Sequence, residues 1–341
     1  MSVDVHSHFW PNGLLKAAHA GTDWFGWEPV RLASGTLALA LGDRLVRFPV
    51  PQADLADPAT RAESRRNRGV DAEVMMHVGF LWNQHLDGQE AVMHGRELNE
   101  ELAAAQADRP AVYRGLGVLP FHAPELFERE LGALLETGLR AVALPASVRG
   151  SNLDEPGILR MVEQLVDAEI TMLIHPTYLD PPGRLRFPRY YFVNSIGASL
   201  ECTVAFMSLI HGGLFDRHDD VKMVIVQGGG GVPYEIGRFS LRYHERSDLR
   251  TMAQPPDAYL RRVHYDCMVA DSDSLAFLVD RVGADRVMIG TDHPFKSDVP
   301  QGAAAWVSNH PRLDKSQKSA ILGDNARRLF HFPAGSDAWT S

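Results

Sequence analysis

Four residues with metal-binding side chains lie far apart in the chain, each at the end of a short apolar run. They are His6 and His8 in VDVHSH, His175 in MLIHPT and Asp292 in IGTDHPF. Side chains alternate along a strand, so Asp4, His6 and His8 share one face and both imidazoles can reach one ion without backbone distortion. Three neutral imidazoles and one carboxylate suit Zn²⁺ or Mn²⁺, with a position left for water or substrate. The pattern predicts a mononuclear metalloenzyme.

Two of these residues also have ordinary structural interpretations. His175 lies in an apolar run, where a histidine is often part of the core. Asp292 stands two residues before Pro294, a spacing typical of a helix N-cap. An H-x-H motif is common by chance, so the metal hypothesis depends on all four residues ending strand-like runs.

The elements that must position these residues follow a regular alternation. Strand-like runs lie near 2–8, 70–78, 112–119, 139–144, 170–175, 221–227, 263–267 and 286–291. Helix-like stretches lie near 58–69, 89–108, 123–138, 154–169, 194–211, 231–246, 272–282 and 314–330. Eight of each predict a (β/α)8 TIM barrel, formed as a single domain over residues 1–341. A doubly wound open sheet uses the same alternation, but only a barrel brings the first, fifth and eighth strand ends to one mouth.

Residues 20–55 interrupt this alternation. The run GTLALALGDRLVRFPV predicts a small β insertion after the first strand, placed over the barrel mouth. Trp24, Phe25 and Trp27 either pack over a substrate or anchor the insertion to the barrel.

Composition excludes several classes of protein. The net charge of −9 over 341 residues argues against nucleic-acid binding, which needs a basic surface. No apolar run approaches the ~18 residues of a membrane span. The first residues lack the regions of a signal peptide. Cys202 and Cys267 are too few for a disulfide framework. We therefore expect a cytoplasmic protein with reduced thiols and no membrane partner.

Motifs along nearly the whole chain resemble one family. They are DVHSHFWP, RELNEELAAAQADRP, GLGVLPF, GLRAVALP, LIHPT, QGGGGVPYEIGR and VGADRVMIGTDHPF. Together they resemble the metal-dependent decarboxylase branch of the amidohydrolase superfamily, which contains the aminocarboxymuconate-semialdehyde, resorcylate and salicylate decarboxylases. The resemblance implies a barrel with one divalent metal ion on His6, His8, His175 and Asp292, and no organic cofactor. Zn²⁺ is favoured over Mn²⁺. It also implies a homodimer or homotetramer.

The chain departs from the family pattern at Gln227. Family members usually carry histidine at the start of HGGG, and in the water-adding members this histidine is assigned as the base that activates water. A glutamine amide cannot move a proton near neutral pH. A substrate carboxylate beside a phenol or enol oxygen can instead chelate the metal, and Asp292 can protonate the carbon that loses CO2. We therefore assign catalytic roles to Asp292 and Gln227 and expect a decarboxylase of a small aromatic or unsaturated carboxylic acid.

Two other functions stay open. One is an amidohydrolase-type hydrolase of an amide, ester or C–C bond, or a hydratase, using metal-activated water. The other is a catalytically silent barrel that binds a metabolite.

Further residues are assigned to the substrate or to the metal ligands. Arg238 matches an arginine that in the semialdehyde decarboxylase reaches the carboxylate of a substrate in the neighbouring subunit; a surface ion pair is the alternative. Arg47 is a second candidate carboxylate anchor, and Phe295 and Trp10 are expected to line the pocket. Asp266 ends the seventh strand and is a candidate to orient a ligand histidine.

Overall fold

The computed structural model describes residues 1–46, 58–179, 181–295, 299 and 302–333, without the side chains of residues 58 and 59. Arg47, a proposed carboxylate anchor, lies outside the described residues.

Within these ranges the strands are β1 (Val3–Phe9), β2 (Trp27–Arg31), β3 (Leu37–Leu41), β4 (Arg44–Val46), β5 (Ala72–His77), β6 (Tyr113–Gly115), β7 (Ala141–Pro145), β8 (Thr171–His175), β9 (Met223–Ile225), β10 (His264–Asp266) and β11 (Val287–Met288). The α-helices are α1 (Asn12–Ala20), α2 (Pro58–Asn67), α3 (Gly88–Asp108), α4 (Pro124–Glu136), α5 (Pro156–Asp167), α6 (Ser199–His211), α7 (Leu214–Arg217), α8 (Val232–Glu245), α9 (Ser272–Val282), α10 (Ala303–Ser308), α11 (Lys315–Ser319) and α12 (Asn325–Leu329).

The parallel strands of the described chain form a closed ring of eight. One parallel sheet has the order β1-β5-β6 and a second the order β11-β10-β9-β8-β7. Parallel bridges join the two sheets at both edges, between Gly117 and Val142 and between Asp4 and Ile289. The predicted (β/α)8 TIM barrel is confirmed, and each of the eight predicted strand runs overlaps an observed strand.

The core lies inside the ring and between the ring and its helices. All five residues of β8 are buried, as are all five of β7, which is typical of parallel strands covered on both faces. α5 shows the matching helical pattern, since Ile158, Met161, Val162 and Leu165 are buried along one face. This packing holds the strand ends in place around the mouth.

A small antiparallel sheet of β2, β3 and β4 lies in the region predicted as an insertion. Its aromatic residues anchor it to the barrel: the Trp24 indole donates a hydrogen bond of 3.0 Å to Glu97 on α3, and the Trp24 ring lies 4.6 Å from that of His94. Trp27 is fully buried. Aromatic anchoring is therefore the role that the contacts show.

One described helical segment, Val193–His211, is long and apolar enough to cross a membrane by length and composition alone. The sequence expectation that no segment approaches a membrane span was therefore wrong. More than half of the segment is buried in the protein, and core helices of soluble proteins pass the same test. Cys202, Ala205, Phe206 and Leu209 are all fully buried, which accounts for the apolar composition.

Candidate metal centre

The ring brings the four predicted ligands together. His6 and His8 lie on β1, His175 ends β8, and Asp292 follows β11. Their ligand atoms all lie within 4.8 Å of one another, and all four residues are buried. The strands that meet here are the first, the fifth and the eighth of the barrel, so the cluster exists only because the ring closes.

β1 is not a regular strand where it carries the histidines. Asp4 pairs with Glu73 and Ser7 with Met75, so β1 has one residue more than β5 over this stretch. Such a bulge leaves a backbone N–H without its strand partner. The N–H of His6 donates instead to Asp4 Oδ1 at 3.0 Å. The expectation of convergence without backbone distortion was wrong, because the bulge interrupts the strand beside His6.

Two carboxylates contact the histidines of β1. Asp292 Oδ1 lies 2.8 Å from His8 Nε2 and 3.3 Å from His6 Nε2. Asp266 Oδ2, at the end of β10, lies 2.8 Å from His6 Nδ1. A carboxylate on the second ring nitrogen of a histidine sets its tautomer and orientation for a metal. Asp266 therefore stands where an orienting residue is needed.

The protonation states of the cluster suit a cation. Burial lowers the pKa of His8, and it lowers that of His175 well below its ordinary value. Burial alone would raise the pKa of Asp292, but hydrogen bonds from His6 and His8 lower it below its usual range. Burial alone would lower the pKa of His6, but hydrogen bonds to Asp266 and Asp292 raise it to about 10. The positive charge is thus held between two carboxylates, where a metal ion would replace a proton.

The four side chains of the cluster also fit a divalent metal ion. Among the described residues, both ring nitrogens of His175 and Nδ1 of His8 are buried and have no hydrogen-bond partner. Buried polar atoms without a partner are rare in proteins. Three imidazoles and a carboxylate that converge in this way match the ligands of a divalent transition metal.

Aromatic rings surround the histidines. The ring of Phe295 lies 5.4 Å from that of His8. The rings of Trp82 and Tyr178 each lie 5.9 Å from that of His175. Tyr178 has a left-handed φ of 61°, which is uncommon for an aromatic residue outside functional or strained sites. Sequence reasoning found Phe295 and missed Trp82 and Tyr178, for which the only signal is proximity in sequence to strand ends.

Two further candidates, Trp10 and Arg238, have different surroundings from the cluster. Trp10 is almost fully buried against Phe80, with ring centroids 6.3 Å apart. Arg238 is exposed on α8, and among the described residues it makes no contact with the four-residue cluster. Neither residue is brought to the cluster by the contacts of the described chain.

Gln227 lies at the barrel mouth beside a separate cavity. It begins the turn Gln227–Gly229 with a φ of 59°. It lines a cavity of about 550 Å³, whose other walls include Ser195, Ser199, Tyr234, Met268 and Phe277. Its turn reaches the histidines through the backbone: the N–H of Gly228 donates to Asp266 Oδ1 at 2.8 Å. Among the described residues, no hydrogen bond joins the Gln227 side chain to the four-residue cluster.

A smaller cavity of about 280 Å³ connects the insertion to the mouth. Leu41 and Arg44 of the insertion line it together with Thr177 and Leu179, which follow His175. Gln84, His85, Ser147 and Arg149 complete most of its wall. Both cavities therefore open at the carboxyl ends of the barrel strands.

Comparison with known proteins agrees with this geometry. The family model described as amidohydrolase matches residues 3–332. The chain belongs to the amidohydrolase family. This amidohydrolase is therefore an enzyme by family membership. It is 28% identical over 336 residues to the 2-amino-3-carboxymuconate-6-semialdehyde decarboxylase of Dictyostelium discoideum, covering 96% of this chain and 90% of that protein.

Two solved structures share the fold of this amidohydrolase. The IDCase of Metarhizium anisopliae, in apo form, aligns with a TM-score of 0.83 at 23% identity, over 97% of each chain. A dihydroxybenzoic acid decarboxylase of Polaromonas sp., with bound manganese and the inhibitor 2-nitroresorcinol, aligns with a TM-score of 0.78 at 19% identity. That alignment covers 100% of this chain and 99% of the other. At these identities the likeness establishes the barrel.

Proposed function

We propose that this amidohydrolase is a carboxy-lyase that releases CO2 from a small aromatic or unsaturated carboxylic acid. The observation that carries the proposal is the buried cluster of His6, His8, His175 and Asp292, with ligand atoms within 4.8 Å of one another. Similarity to a semialdehyde decarboxylase over 96% of the chain supports the choice of reaction. One divalent ion belongs at the cluster, Zn²⁺ by preference and Mn²⁺ as the alternative, because these ligands accept both. No organic cofactor is needed.

The residues of the cluster have separate roles in this reaction. His6, His8, His175 and Asp292 would hold the divalent ion, which when bound would supply a Lewis acid for an acid whose carboxylate has an oxygen beside it. The rings of Phe295 and Tyr178 offer flat apolar walls against which a planar acid packs. When the C–C bond to the carboxyl group breaks, its electron pair stays on the ring or enol carbon, which takes a proton as CO2 leaves. Asp292 is the group assigned to deliver that proton.

The proton balance sets a requirement on Asp292. Its lowered pKa makes it a carboxylate in the resting protein, so it must take up a proton from the incoming acid or from solvent before it can donate one. Gln227 cannot share this role, because an amide holds no transferable proton near neutral pH. Its role is to donate or accept hydrogen bonds at the rim of the cavity. With Asp292 as the proton donor and Gln227 limited to hydrogen bonds, decarboxylation is favoured over a reaction that needs a histidine base.

The substrate's other anionic groups require cations, and two arginines are proposed. Arg238 is exposed on α8, and it is proposed to serve the site of a neighbouring subunit in a homodimer or homotetramer. Arg47 is the second proposed anchor. A guanidinium binds a carboxylate through two parallel hydrogen bonds. Trp10 completes the proposed pocket, and the enzyme is proposed to be cytoplasmic.

The experiment is product analysis with the metal-loaded enzyme. Aromatic and unsaturated acids with a hydroxyl or enol oxygen beside the carboxyl group are offered with ¹³C in that carboxyl group. We expect labelled CO2 in amounts equal to the decarboxylated product. Incorporation of solvent ¹⁸O without CO2 would indicate a hydrolase or hydratase instead. Metal binding without turnover of any acid would indicate a metabolite-binding barrel.

A further inference from the structure

Behind the histidine cluster, Asp4 joins the two segments that supply three of its four residues. On β1, Asp4 Oδ1 accepts the hydrogen bond from the N–H of His6 at 3.0 Å. Across the closing edge of the barrel, Asp4 accepts from Thr291 twice, from its N–H at 3.2 Å and from its hydroxyl at 2.5 Å. Thr291 directly precedes Asp292. One carboxylate therefore holds the backbone next to His6 and next to Asp292.

Both of these backbone segments are irregular, so they need outside support. His6 lies at the bulge of β1, and Asp292 has a left-handed φ of 57°. Irregular backbone of this kind persists where the surrounding structure determines it. The N–H of Asp292 donates to the carbonyl of His6 at 2.8 Å, which ties the two segments directly. Asp4 supplies the acceptors that the bulge and the turn lack.

Asp4 belongs to a buried cluster of charges formed with Arg68, Glu73 and Arg61. Arg68 Nη1 lies 3.0 Å from Asp4 Oδ2, and Arg68 also pairs with Glu73. Arg61 Nε lies 3.0 Å from Glu73 Oε2, and its Nη1 donates to the carbonyl of His8 at 2.8 Å. Asp4 and Glu73 are fully buried, and Arg61 is nearly so.

Stability alone gives a weak reason for such a cluster. Desolvation of buried ions offsets much of their attraction, and well-packed apolar residues often serve stability as well or better. What apolar residues cannot do is accept three hydrogen bonds in fixed directions. The carboxylate of Asp4 does this for the N–H of His6 and for both donors of Thr291. The charge cluster therefore fixes the positions of the backbone beside His6 and beside Asp292.

We propose that Asp4 is a positioning residue, which sets the distance between His6 and Asp292 so that both reach one ion. The inference rests on the proposed metal site and deepens it. The same positioning role extends to Thr291, which precedes Asp292 and whose hydroxyl donates a hydrogen bond to Asp4. Glu73 belongs to the same charge cluster, but in the described chain its side chain pairs with Arg61 and Arg68 rather than with either segment, so it serves as the matched comparison.

The test measures metal affinity rather than turnover. Metal-free wild type, Asp4→Ala, Asp4→Asn and Glu73→Gln are titrated with Zn²⁺ against a chromophoric chelator, and their Co²⁺ forms are compared by visible absorption. We expect Asp4→Ala to bind Zn²⁺ at least ~10-fold more weakly, the usual effect of losing support behind a metal ligand, with altered Co²⁺ bands. Asp4→Asn keeps an oxygen acceptor and should recover most of the affinity. Glu73→Gln should stay within about threefold of wild type.

Two results would overturn the inference. One is wild-type affinity in Asp4→Ala. The other is an equal loss in Glu73→Gln, which would mean that the cluster acts only through general stability. If Asp4→Ala does not fold, Thr291→Val replaces it, since this variant removes one donor to Asp4 while keeping the side-chain shape. Unchanged Zn²⁺ affinity in Thr291→Val counts against the proposal.

Wild type is titrated first. Failure of the wild type to bind Zn²⁺ defeats the metal site itself, whereas Zn²⁺ binding without CO2 release defeats only the proposed reaction.

Discussion

At the scale of single residues, Asp292 is proposed both to bind the metal ion and to deliver the proton. Its Oδ1 lies within 3.3 Å of both histidines of β1, and its φ of 57° turns the chain just after the closing edge of the barrel. Aspartate tolerates this left-handed region better than most residues. An asparagine could therefore keep the backbone while it removes the charge and the transferable proton and replaces one carboxylate oxygen by an NH2 group.

Substitutions of Asp292 and of Gln227 should therefore lower the rate of CO2 release to different extents. We expect Asp292→Asn to lower the rate of CO2 release by about 10³-fold, within the range for loss of a general acid. Gln227→Leu should lower it by no more than about tenfold, since the amide offers only hydrogen bonds. Initial rates with a ¹³C-carboxyl substrate would measure both. Equal losses in the two variants would show that Gln227 takes part in the chemistry.

At the scale of elements, a glutamate on α3 positions α1 beside the first barrel strand. Both oxygens of Glu101 accept from the N–H of Asn12, the first residue of α1, at 3.0 and 3.1 Å. Burial, and then the charge of Glu97 one turn away, raise the pKa of Glu101 to about 7, although the bond from Asn12 opposes this shift. The folded protein therefore holds a proton here at pH values where the unfolded chain has released it.

This shift predicts a pH-dependent stability. Because the folded protein binds the extra proton between about pH 4.5 and 7, its stability falls as pH rises through that window. Glu101→Gln keeps an acceptor for Asn12 and removes the charge. It should raise the melting temperature by about 1–2 °C at pH 8 and change it little at pH 4.5. Thermal melts of Glu101→Gln and of the exposed control Glu100→Gln would decide this; the same gain in the control would contradict it.

At the scale of the whole molecule, the proposed ion links the first, fifth and eighth strands of the ring. A ligand that binds only the folded protein stabilises it by about 2.7 kcal/mol at a concentration 100 times its dissociation constant. We expect chelation to lower the melting temperature by several degrees and Zn²⁺ or Mn²⁺ to restore it. His175→Ala should not respond to added metal. An unchanged melting temperature after complete metal removal would argue against an ion at this site.

Assembly gives a second prediction at this scale. If Arg238 serves a neighbouring subunit, Arg238→Ala should raise KM with little change in the Asp292-dependent step. Mixing Arg238→Ala with Asp292→Asn should then restore up to about a quarter of wild-type activity, because about half of the dimers are mixed and each mixed dimer contains one complete site of two. Activity of the mixtures and subunit number by light scattering would test this. A monomer with full activity would exclude the shared site.

Many elements of the fold and the candidate metal ligands could be predicted from local sequence patterns. The period of hydrophobic residues located eight strands and their helices, because alternation and helical spacing are properties of short stretches. His6, His8, His175 and Asp292 were found because they end apolar runs, and the carboxyl ends of barrel strands meet at one mouth. The short helices α1, α7 and α10 were missed, since so few residues carry little periodic signal. The site predictions thus depended on the fold prediction.

Tertiary structure alone decided how the ligands are held. The bulge beside His6 depends on pairing with β5, and the contact between His6 and Asp266 joins residues 260 positions apart. The exposure of Arg238 and the cavity beside Gln227 likewise depend on how helices pack around the closed ring. Sequence spacing specifies which side chains arrive at a strand end. Their directions and hydrogen-bond partners come from contacts between distant segments, which exist only once the barrel has closed.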